Sequence, residues 1–253
     1  MSGFGPLLAK ELREQWRTRR LLVVVIVFAI FGIGSPLLAK YTPELVGALA
    51  GEEVARAISP PTTADAVLQF LKNLGQTGVL AAILLAMGSV ANDKERGIAA
   101  LLLTKPVSRS AYLLSKLLAI AITLLVAVGV AGMAAYGYTA WLFETLPAGG
   151  YAAMCGLLLL QLLVYAALTF LGSTLSRSAL AAAGIGIGAL VIVAIVSALP
   201  VIGRYTPGGL LEPAQALAMG QPARDVLAPL AVNIGLVGVI FGLAWLSFRR
   251  QEL

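Results

Sequence analysis

The sequence has no histidine and a single cysteine, Cys155, and these two scarcities limit its chemistry. No disulfide can form within the chain, and the usual zinc sites need histidine or several cysteines. No pairing of a nucleophile with a general base is visible either. We therefore expect no metal ligands and no catalytic residues in this chain.

The scarcity of charge excludes a soluble fold. Only 12% of the 253 residues are charged and 59% are apolar, whereas soluble domains are roughly 25% charged and 45–50% apolar. The mean hydropathy is +0.93. The formal charge of +6 is too unevenly placed to be the footprint of a nucleic-acid-binding protein. The chain is therefore expected in lipid, without a nucleic-acid partner.

Long stretches without charge define the predicted architecture. A helix that crosses roughly 30 Å of hydrocarbon needs about 20 mostly apolar residues, because its backbone must be hydrogen-bonded within the segment. Arg177 alone separates two of the candidate stretches, which indicates a tight turn. The sequence predicts an all-α membrane protein whose domain at 21–253 has six transmembrane helices. The stretches without Asp, Glu, Lys or Arg are 21–39, 73–92, 117–143, 151–176, 178–203 and 226–248.

The connections between these spans predict the orientation. Connections on the N-terminal side hold 13 basic and 5 acidic residues, and those on the other side hold 5 basic and 7 acidic residues. Basic residues concentrate on the cytoplasmic side during insertion. We therefore expect both termini in the cytoplasm of a prokaryote, with the chain crossing the inner membrane several times. Residues 40–72 form a long outer loop, in which Thr62 or Thr63 is expected to cap a helix that runs into the second span.

Residues 1–20 have the pattern of an amphipathic helix. Cations occupy one face, and apolar side chains recur on the other at three- and four-residue spacing. A helix of this kind lies along the membrane interface, where its cations meet the anionic headgroups of membrane lipid. A simple orientation signal with no further role is the alternative. The apolar set is Phe4, Leu7, Leu8, Leu12 and Trp16.

The segment after the second span combines exposed charge with an apolar patch. Such a patch requires a partner surface or the membrane interface, because water does not favour it. We interpret the segment as a short amphipathic helix that docks a partner, and the alternative is a re-entrant turn that packs against its own bundle. The candidate partner-coupling residues are Asp93, Glu95, Arg96, Gly97, Leu101, Leu102, Pro106 and Arg109.

Four motifs occur in this order along the chain: Leu8-Ala9-Lys10-Glu11-Leu12, Glu95-Arg96-Gly97, the stretch from Leu102 to Arg109, and Phe248-Arg249-Arg250-Gln251-Glu252-Leu253. Together they resemble the permease subunits of type 2 ATP-binding-cassette exporters. The resemblance spans nearly the whole chain and is closest to the subgroup that includes the permease for copper-site maturation of nitrous-oxide reductase. The family commonly has Thr or Ser at the position of Ile98.

The resemblance implies how these parts work. In that family the first helix is an elbow along the membrane, and a cytoplasmic coupling helix after the second span contacts the nucleotide-binding subunit. Glu95, Arg96 and Gly97 are then the implied coupling positions. The resemblance also implies separate ATPase subunits, which bind ATP and Mg, and a second permease subunit, identical or similar. No cofactor is expected in this chain itself.

Energy for transport is expected from outside this chain. None of the six lysines follows a glycine, so the sequence has no P-loop for nucleotide phosphates. The predicted spans hold no Asp, Glu, Lys, Arg or His, whereas ion-coupled carriers usually place one at mid-membrane. The leading hypothesis is the permease subunit of an ATP-driven exporter for an amphiphilic, lipid-like or peptide substrate. The alternative is a non-transporting scaffold or sensor that docks a cytoplasmic partner.

Two pairs of intramembrane residues are further candidates. Gly184 and Gly188 allow a second helix to approach closely, which favours a dimer interface at the fifth span, although packing within one bundle also explains them. Gln161 and Asn233 are candidates for a substrate path, although hydrogen bonding between helices explains them equally well.

Overall fold

The computed structural model describes residues 3–51, 53–54, 59–98, 107–223 and 225–251. Within these ranges the chain is mostly α-helical, and two short 3-10 turns, Gly203–Tyr205 and Pro207–Leu210, precede α8. The helices are α1 (Phe4–Arg17), α2 (Arg20–Ala50), α3 (Thr63–Met87), α4 (Ala91–Glu95), α5 (Arg109–Leu142), α6 (Ala148–Leu175), α7 (Ala179–Ser197), α8 (Leu211–Ala218) and α9 (Leu227–Arg249).

Six helices in the described part of the chain are long and apolar enough to cross a membrane, as predicted. They are α2, the continuous stretch Thr63–Glu95, α5, α6, α7 and α9. The stretch Thr63–Glu95 combines α3 and α4, with a turn at 88–90 between them. The protein is therefore a multi-pass helical membrane protein.

The first spanning helix is longer than the sequence predicted. A span of 21–39 followed by a loop was expected, but α2 continues through Pro36 and Pro43 to Ala50. Proline inside a helix removes one backbone hydrogen bond and costs roughly 3 kcal/mol or more. Here Ser35, Pro36 and Ala39 are buried in the bundle, and this packing offsets the cost of Pro36. The predicted outer loop is therefore shorter than expected.

The start of α3 confirms the predicted cap. The Thr62 hydroxyl accepts a hydrogen bond from the Asp65 backbone N–H at 3.3 Å, and the Asp65 carboxylate accepts one from the Thr62 backbone N–H at 2.8 Å. This reciprocal capping box satisfies two backbone donors that have no partner inside the helix. The polar cap marks where the chain enters the second span.

Close helix crossings hold the bundle together. Helices α3, α5 and α6 supply most of the buried side chains, and α7 is the least buried. One close crossing joins α2 and α5, because a methyl group on Gly32 would stand 2.5 Å from the Ala131 carbonyl oxygen. Helices in lipid pack through small residues that let their backbones approach. Gly32 therefore sets the distance between α2 and α5.

Gly32→Ala is expected to destabilise the protein by about 1 to 3 kcal/mol, because the added methyl group forces α2 and α5 apart. The matched control is Gly34→Ala on the same helix, since a methyl group there would meet nothing within 4 Å. Thermal unfolding of the detergent-solubilised protein measures both variants. Equal melting temperatures for the two variants would contradict the assignment of Gly32 to the crossing.

Candidate functional site

Six helices meet at one end of the bundle, which we call the basic end. It contains α1, α4, the first turns of α5, and the last turns of α6 and α9. The contacts that define it join Glu11 to Lys116, Lys94 to Thr174 and Arg109 to Phe248. The start of α2 lies at this same end, beside Asn92.

A buried group of acidic, basic and hydroxyl side chains lies at the centre of the basic end. The Lys116 ammonium is 2.8 Å from an Asp93 carboxylate oxygen and 3.1 Å from a Glu11 carboxylate oxygen. The Tyr112 hydroxyl donates a hydrogen bond to Asp93 at 2.7 Å. We call Glu11, Asp93, Tyr112 and Lys116 the Lys116 cluster. It joins α1 and α4 to α5 through one ammonium group.

The sequence positions this cluster through helical spacing. Tyr112 and Lys116 are four residues apart on α5 and therefore lie on one face of the helix. Ser108 caps α5 by accepting a hydrogen bond from the Ala111 backbone N–H at 3.2 Å, which fixes where this face begins. The side chain of Lys116 is only 3% exposed. Lys116 was counted among the connecting segments in the sequence analysis, but the structure places it inside the helix and in the core.

A second, more exposed ion pair supports α1. Lys10 lies 3.0 Å from Glu11 and 3.2 Å from Glu14, and its side chain is 40% exposed. Burial by itself lowers the pKa of Lys10, but the carboxylates of Glu11 and Glu14 outweigh this effect and raise the pKa above its usual value. Glu11 thus faces two ammonium groups, of which only Lys116 is deeply buried.

Helix α4 is fixed to α6 as well as to α5. The Ser173 hydroxyl accepts hydrogen bonds from the backbone N–H groups of Val90 at 3.1 Å and Ala91 at 2.9 Å. It therefore caps α4 from a neighbouring helix. The Lys94 ammonium donates a hydrogen bond to the carbonyl oxygen of Thr174, which follows Ser173 on α6. Two independent anchors, the Lys116 cluster and the end of α6, consequently hold α4.

The end of α4 and the two residues after it are exposed, and we call Glu95, Arg96 and Gly97 the tip. Glu95, Arg96 and Gly97 all face outward, and Gly97 has a φ of +69°. This left-handed conformation suits glycine and ends the helix. Buried Asp93 anchors the segment, whereas Glu95, Arg96 and Gly97 present their surface. The predicted coupling residues Leu101, Leu102 and Pro106 lie outside the described residues.

Arg109 has an internal role that the sequence did not indicate. Its guanidinium donates hydrogen bonds to the carbonyl oxygens of Phe248 at 3.0 Å, Arg249 at 2.8 Å and Gln251 at 3.2 Å. A cation at a helix C-terminus satisfies free carbonyls and opposes the negative end of the helix dipole. The Gln251 amide also donates to the Thr174 carbonyl at 2.9 Å. The end of α9 is therefore attached to α5 and α6.

Two of the three glycines of α7, Gly184 and Gly188, lie on the face directed away from the described bundle. A methyl group on Gly184 or Gly188 would meet nothing within 4 Å, whereas one on Gly186 would stand 2.4 Å from the Thr169 hydroxyl oxygen. Gly186 is thus the residue that packs α7 on α6. The described contacts give no support to packing within the bundle as the explanation of Gly184 and Gly188.

Gln161 and Asn233 differ in their surroundings. The Asn233 amide donates to the carbonyl oxygens of Tyr205 at 3.0 Å and Pro229 at 2.9 Å, which attaches a 3-10 turn to α9. Hydrogen bonding inside the bundle therefore accounts for the Asn233 nitrogen, whereas its side-chain oxygen has no partner among the described residues. Gln161 is 4% exposed, and its side-chain oxygen has no partner among the described residues. A substrate-path role for Gln161 or Asn233 remains a prediction.

Sequence comparisons place this bundle among membrane transport proteins. Residues 6–216 match the model of a family described as ABC-2 family transporter protein. The chain therefore belongs to the ABC-2 transporter family. It is also 28% identical over 256 residues to the uncharacterized transmembrane protein YxlG of Bacillus subtilis strain 168, and the match covers 100% of this chain and 99% of that protein. Permeases of this family are transporter membrane components, generally non-catalytic, and the family implies ATPase partner subunits.

Lys116→Met is expected to lower the free energy of unfolding by about 3 to 5 kcal/mol, because it leaves the buried Asp93 carboxylate without its cation and leaves Glu11 with only the partly exposed Lys10. The matched control is Lys10→Met, which removes a partly exposed ion pair and should cost less than about 1 kcal/mol. Unfolding of the purified protein in detergent measures both. Similar losses in the two variants would show that Lys116 is not the central cation of the site.

Proposed function

We propose that this chain is the permease subunit of an ATP-driven exporter. Separate subunits bind ATP and Mg, and they push on the tip at Glu95, Arg96 and Gly97. The observation that carries this proposal is the exposed tip on a segment that the Lys116 cluster attaches to two other helices. Membership of the ABC-2 family supports a transport permease. A non-transporting scaffold or sensor is not favoured, because the family consists of transporter components.

The proposed orientation places the basic end in the cytoplasm. The excess of basic residues in the connections on that side supports it, since insertion retains cations there. ATPase subunits are soluble and need a cytoplasmic surface, so the same orientation makes the tip accessible to them. Residues 1–20 then form an elbow helix ahead of a transmembrane domain at 21–253, in the inner membrane of a prokaryote.

The surface of α1 supports its role as an elbow. Leu7 and Glu11 are buried against the bundle, whereas Arg13 and Arg17 are exposed and Trp16 is 65% exposed. Tryptophan and arginine are typical of the membrane interface, where an amphipathic ring and a cation meet headgroups. We propose that α1 packs on α5 through its inner face and contacts membrane lipid through the opposite one.

The Lys116 cluster gives this proposal its mechanism. A push on the tip moves α4, and Asp93 passes the displacement to Lys116 on α5. Glu11 carries α1 along with it, because both carboxylates bind the same ammonium. Ser173 and Thr174 extend the displacement to α6. Rigid helices that move as a group are a common way to switch a transporter between inward- and outward-facing states.

The second permease subunit is proposed to pack on α7. Gly184 and Gly188 present a flat strip on the least buried spanning helix, and small residues permit close helix contacts in lipid. The proposed substrate is amphiphilic, lipid-like or a peptide, as suits spans with few charges, and Gln161 is a candidate for its path. The likeness to the nitrous-oxide reductase subgroup stays a prediction.

Glu95→Ala and Arg96→Ala are each expected to weaken retention of the ATPase subunit about tenfold, because exposed charges at the centre of a contact are often among its strongest contributors. The measurement is copurification with a coexpressed ATPase subunit encoded beside the permease gene. Two variants are the controls. Glu144→Ala changes an exposed acid at the end of the bundle opposite the tip, and Arg250→Ala changes an exposed cation at the basic end, where the tip lies. Full retention and unchanged ATP hydrolysis in both tip variants would refute the coupling role.

Gly188→Leu is expected to reduce self-association, because leucine would hold two α7 helices apart. Gly238→Leu on α9 is the matched control, since a side chain at either position would meet nothing within 4 Å in the described bundle. Cross-linking in native membranes measures the dimer fraction. If the control variant lost the dimer and Gly188→Leu kept it, α9 rather than α7 would form the interface.

A further inference from the structure

A groove of about 410 Å³ runs along the outside of α2 and α3 at the basic end. This volume lies within the range of small-molecule sites, about 300 to 1,000 Å³. Val23, Leu80 and Leu84 are each about half exposed or more, so the groove opens away from the bundle. Its apolar wall includes Val23, Val24, Val27, Leu80, Ala81 and Leu84.

One end of the groove is polar and cationic. Thr18, Arg20 and Asn92 line it. Arg20 is exposed and forms no ion pair with another described residue. A small cavity of about 60 Å³ adjoins this end, shares Arg20 and Asn92 with the groove, and adds the cation Arg96. The groove therefore joins an apolar channel to a positive mouth.

The acidic residues near this mouth are already paired. Glu11, Glu14 and Asp93 line the adjoining cavity. Lys116 binds Glu11 and Asp93, and Lys10 binds Glu14 at 3.2 Å. Among the described residues no acidic side chain therefore balances Arg20, and its charge is available to a ligand.

The junction of α1 and α2 shapes the mouth. Arg19 has a φ of +58°, which is uncommon for a residue other than glycine. This bend separates α1 from α2, and the residues on both sides of it, Thr18 and Arg20, line the groove. The polar mouth is therefore built by the bend itself.

We infer that this groove binds one acidic phospholipid, with its headgroup phosphate at Arg20 and Asn92 and one acyl chain along the apolar wall. An apolar channel that ends at the Arg20 guanidinium complements a ligand with an apolar chain and an anionic headgroup. Basic pockets between transmembrane helices bind anionic headgroups in this way. From Arg20 to Val27, α2 rises about 10 Å, which accommodates a substantial part of an acyl chain. This site requires α2 and α3 to lie in the membrane, and it does not depend on coupling to an ATPase.

Native mass spectrometry of the full chain in detergent, with added phosphatidylglycerol or phosphatidylcholine, tests this inference. Phosphatidylglycerol is expected to be retained about fivefold more strongly, the factor that one cation near a membrane surface contributes. Arg20→Gln should remove this preference and Arg20→Lys should keep it. Arg250→Gln, an exposed cation that does not line the groove, should leave it unchanged.

A second pair of variants tests the apolar wall. Val23→Trp fills the groove from an exposed position and should reduce retention of both lipids, whereas Val239→Trp, at an exposed position on α9, should not. Glycerol 1-phosphate, which carries the headgroup without a chain, should fail to displace the lipid. Any one of three results would overturn the inference: equal retention of both lipids by the wild-type chain, loss of the phosphatidylglycerol preference in Arg250→Gln alone, or displacement of the lipid by glycerol 1-phosphate.

Discussion

The Lys116 ammonium balances two carboxylates in a buried position, and the arrangement of the basic end depends on that balance. Asp93 comes from the segment after the second span and Glu11 comes from the helix before the first. A buried ion pair contributes little net stability, but removal of one partner is costly because the other charge remains buried. The cluster therefore acts mainly to specify position. Helices α1 and α4 have one favourable placement on α5, the one in which both carboxylates reach Lys116.

This constraint explains why the exposed tip is suited to transmit force. Glu95 and Arg96 extend from a helix of only five residues, which would not be stable by itself. The hydrogen bonds from Ser173 and the ion pair of Asp93 supply the missing support. A partner that binds the tip therefore acts on α5 and α6 through short, directional contacts rather than through a flexible loop.

Much of the fold was predictable because hydrocarbon imposes strict requirements. Spans must be long and nearly free of charge, and this condition alone located six spanning helices and the turn at Arg177. The Thr62 cap was also predictable, since its residues are adjacent in sequence. The continuation of α2 through Pro36 was not, because the burial that offsets the proline comes from packing within the bundle. Likewise, the outward direction of Gly184 and Gly188 depends on how α7 packs on α6.

The site was only partly predictable for a related reason. The motif around Glu95 and Arg96 is local and visible in the sequence, whereas the Lys116 cluster joins positions that are far apart in the chain. Lys116 lies at the start of a predicted span, where the sequence alone indicates an ordinary flanking cation. Only the folded structure shows that Glu11 and Asp93 contact it. Arg109 was predicted only as a partner-coupling residue for the same reason, although its described partners include carbonyl groups at the end of α9.

Hydrogen–deuterium exchange of wild-type protein and Lys116→Met, compared at peptide level in the same detergent, tests most directly whether one ammonium holds two helices in place. Exchange reports local opening of each segment. In the variant, peptides from α1 and from α4 are expected to exchange faster together, while peptides from α8, at the opposite end of the bundle, keep their wild-type rates. Unchanged exchange in α1 and α4, or an equal increase in α8, would contradict the central role of the Lys116 cluster.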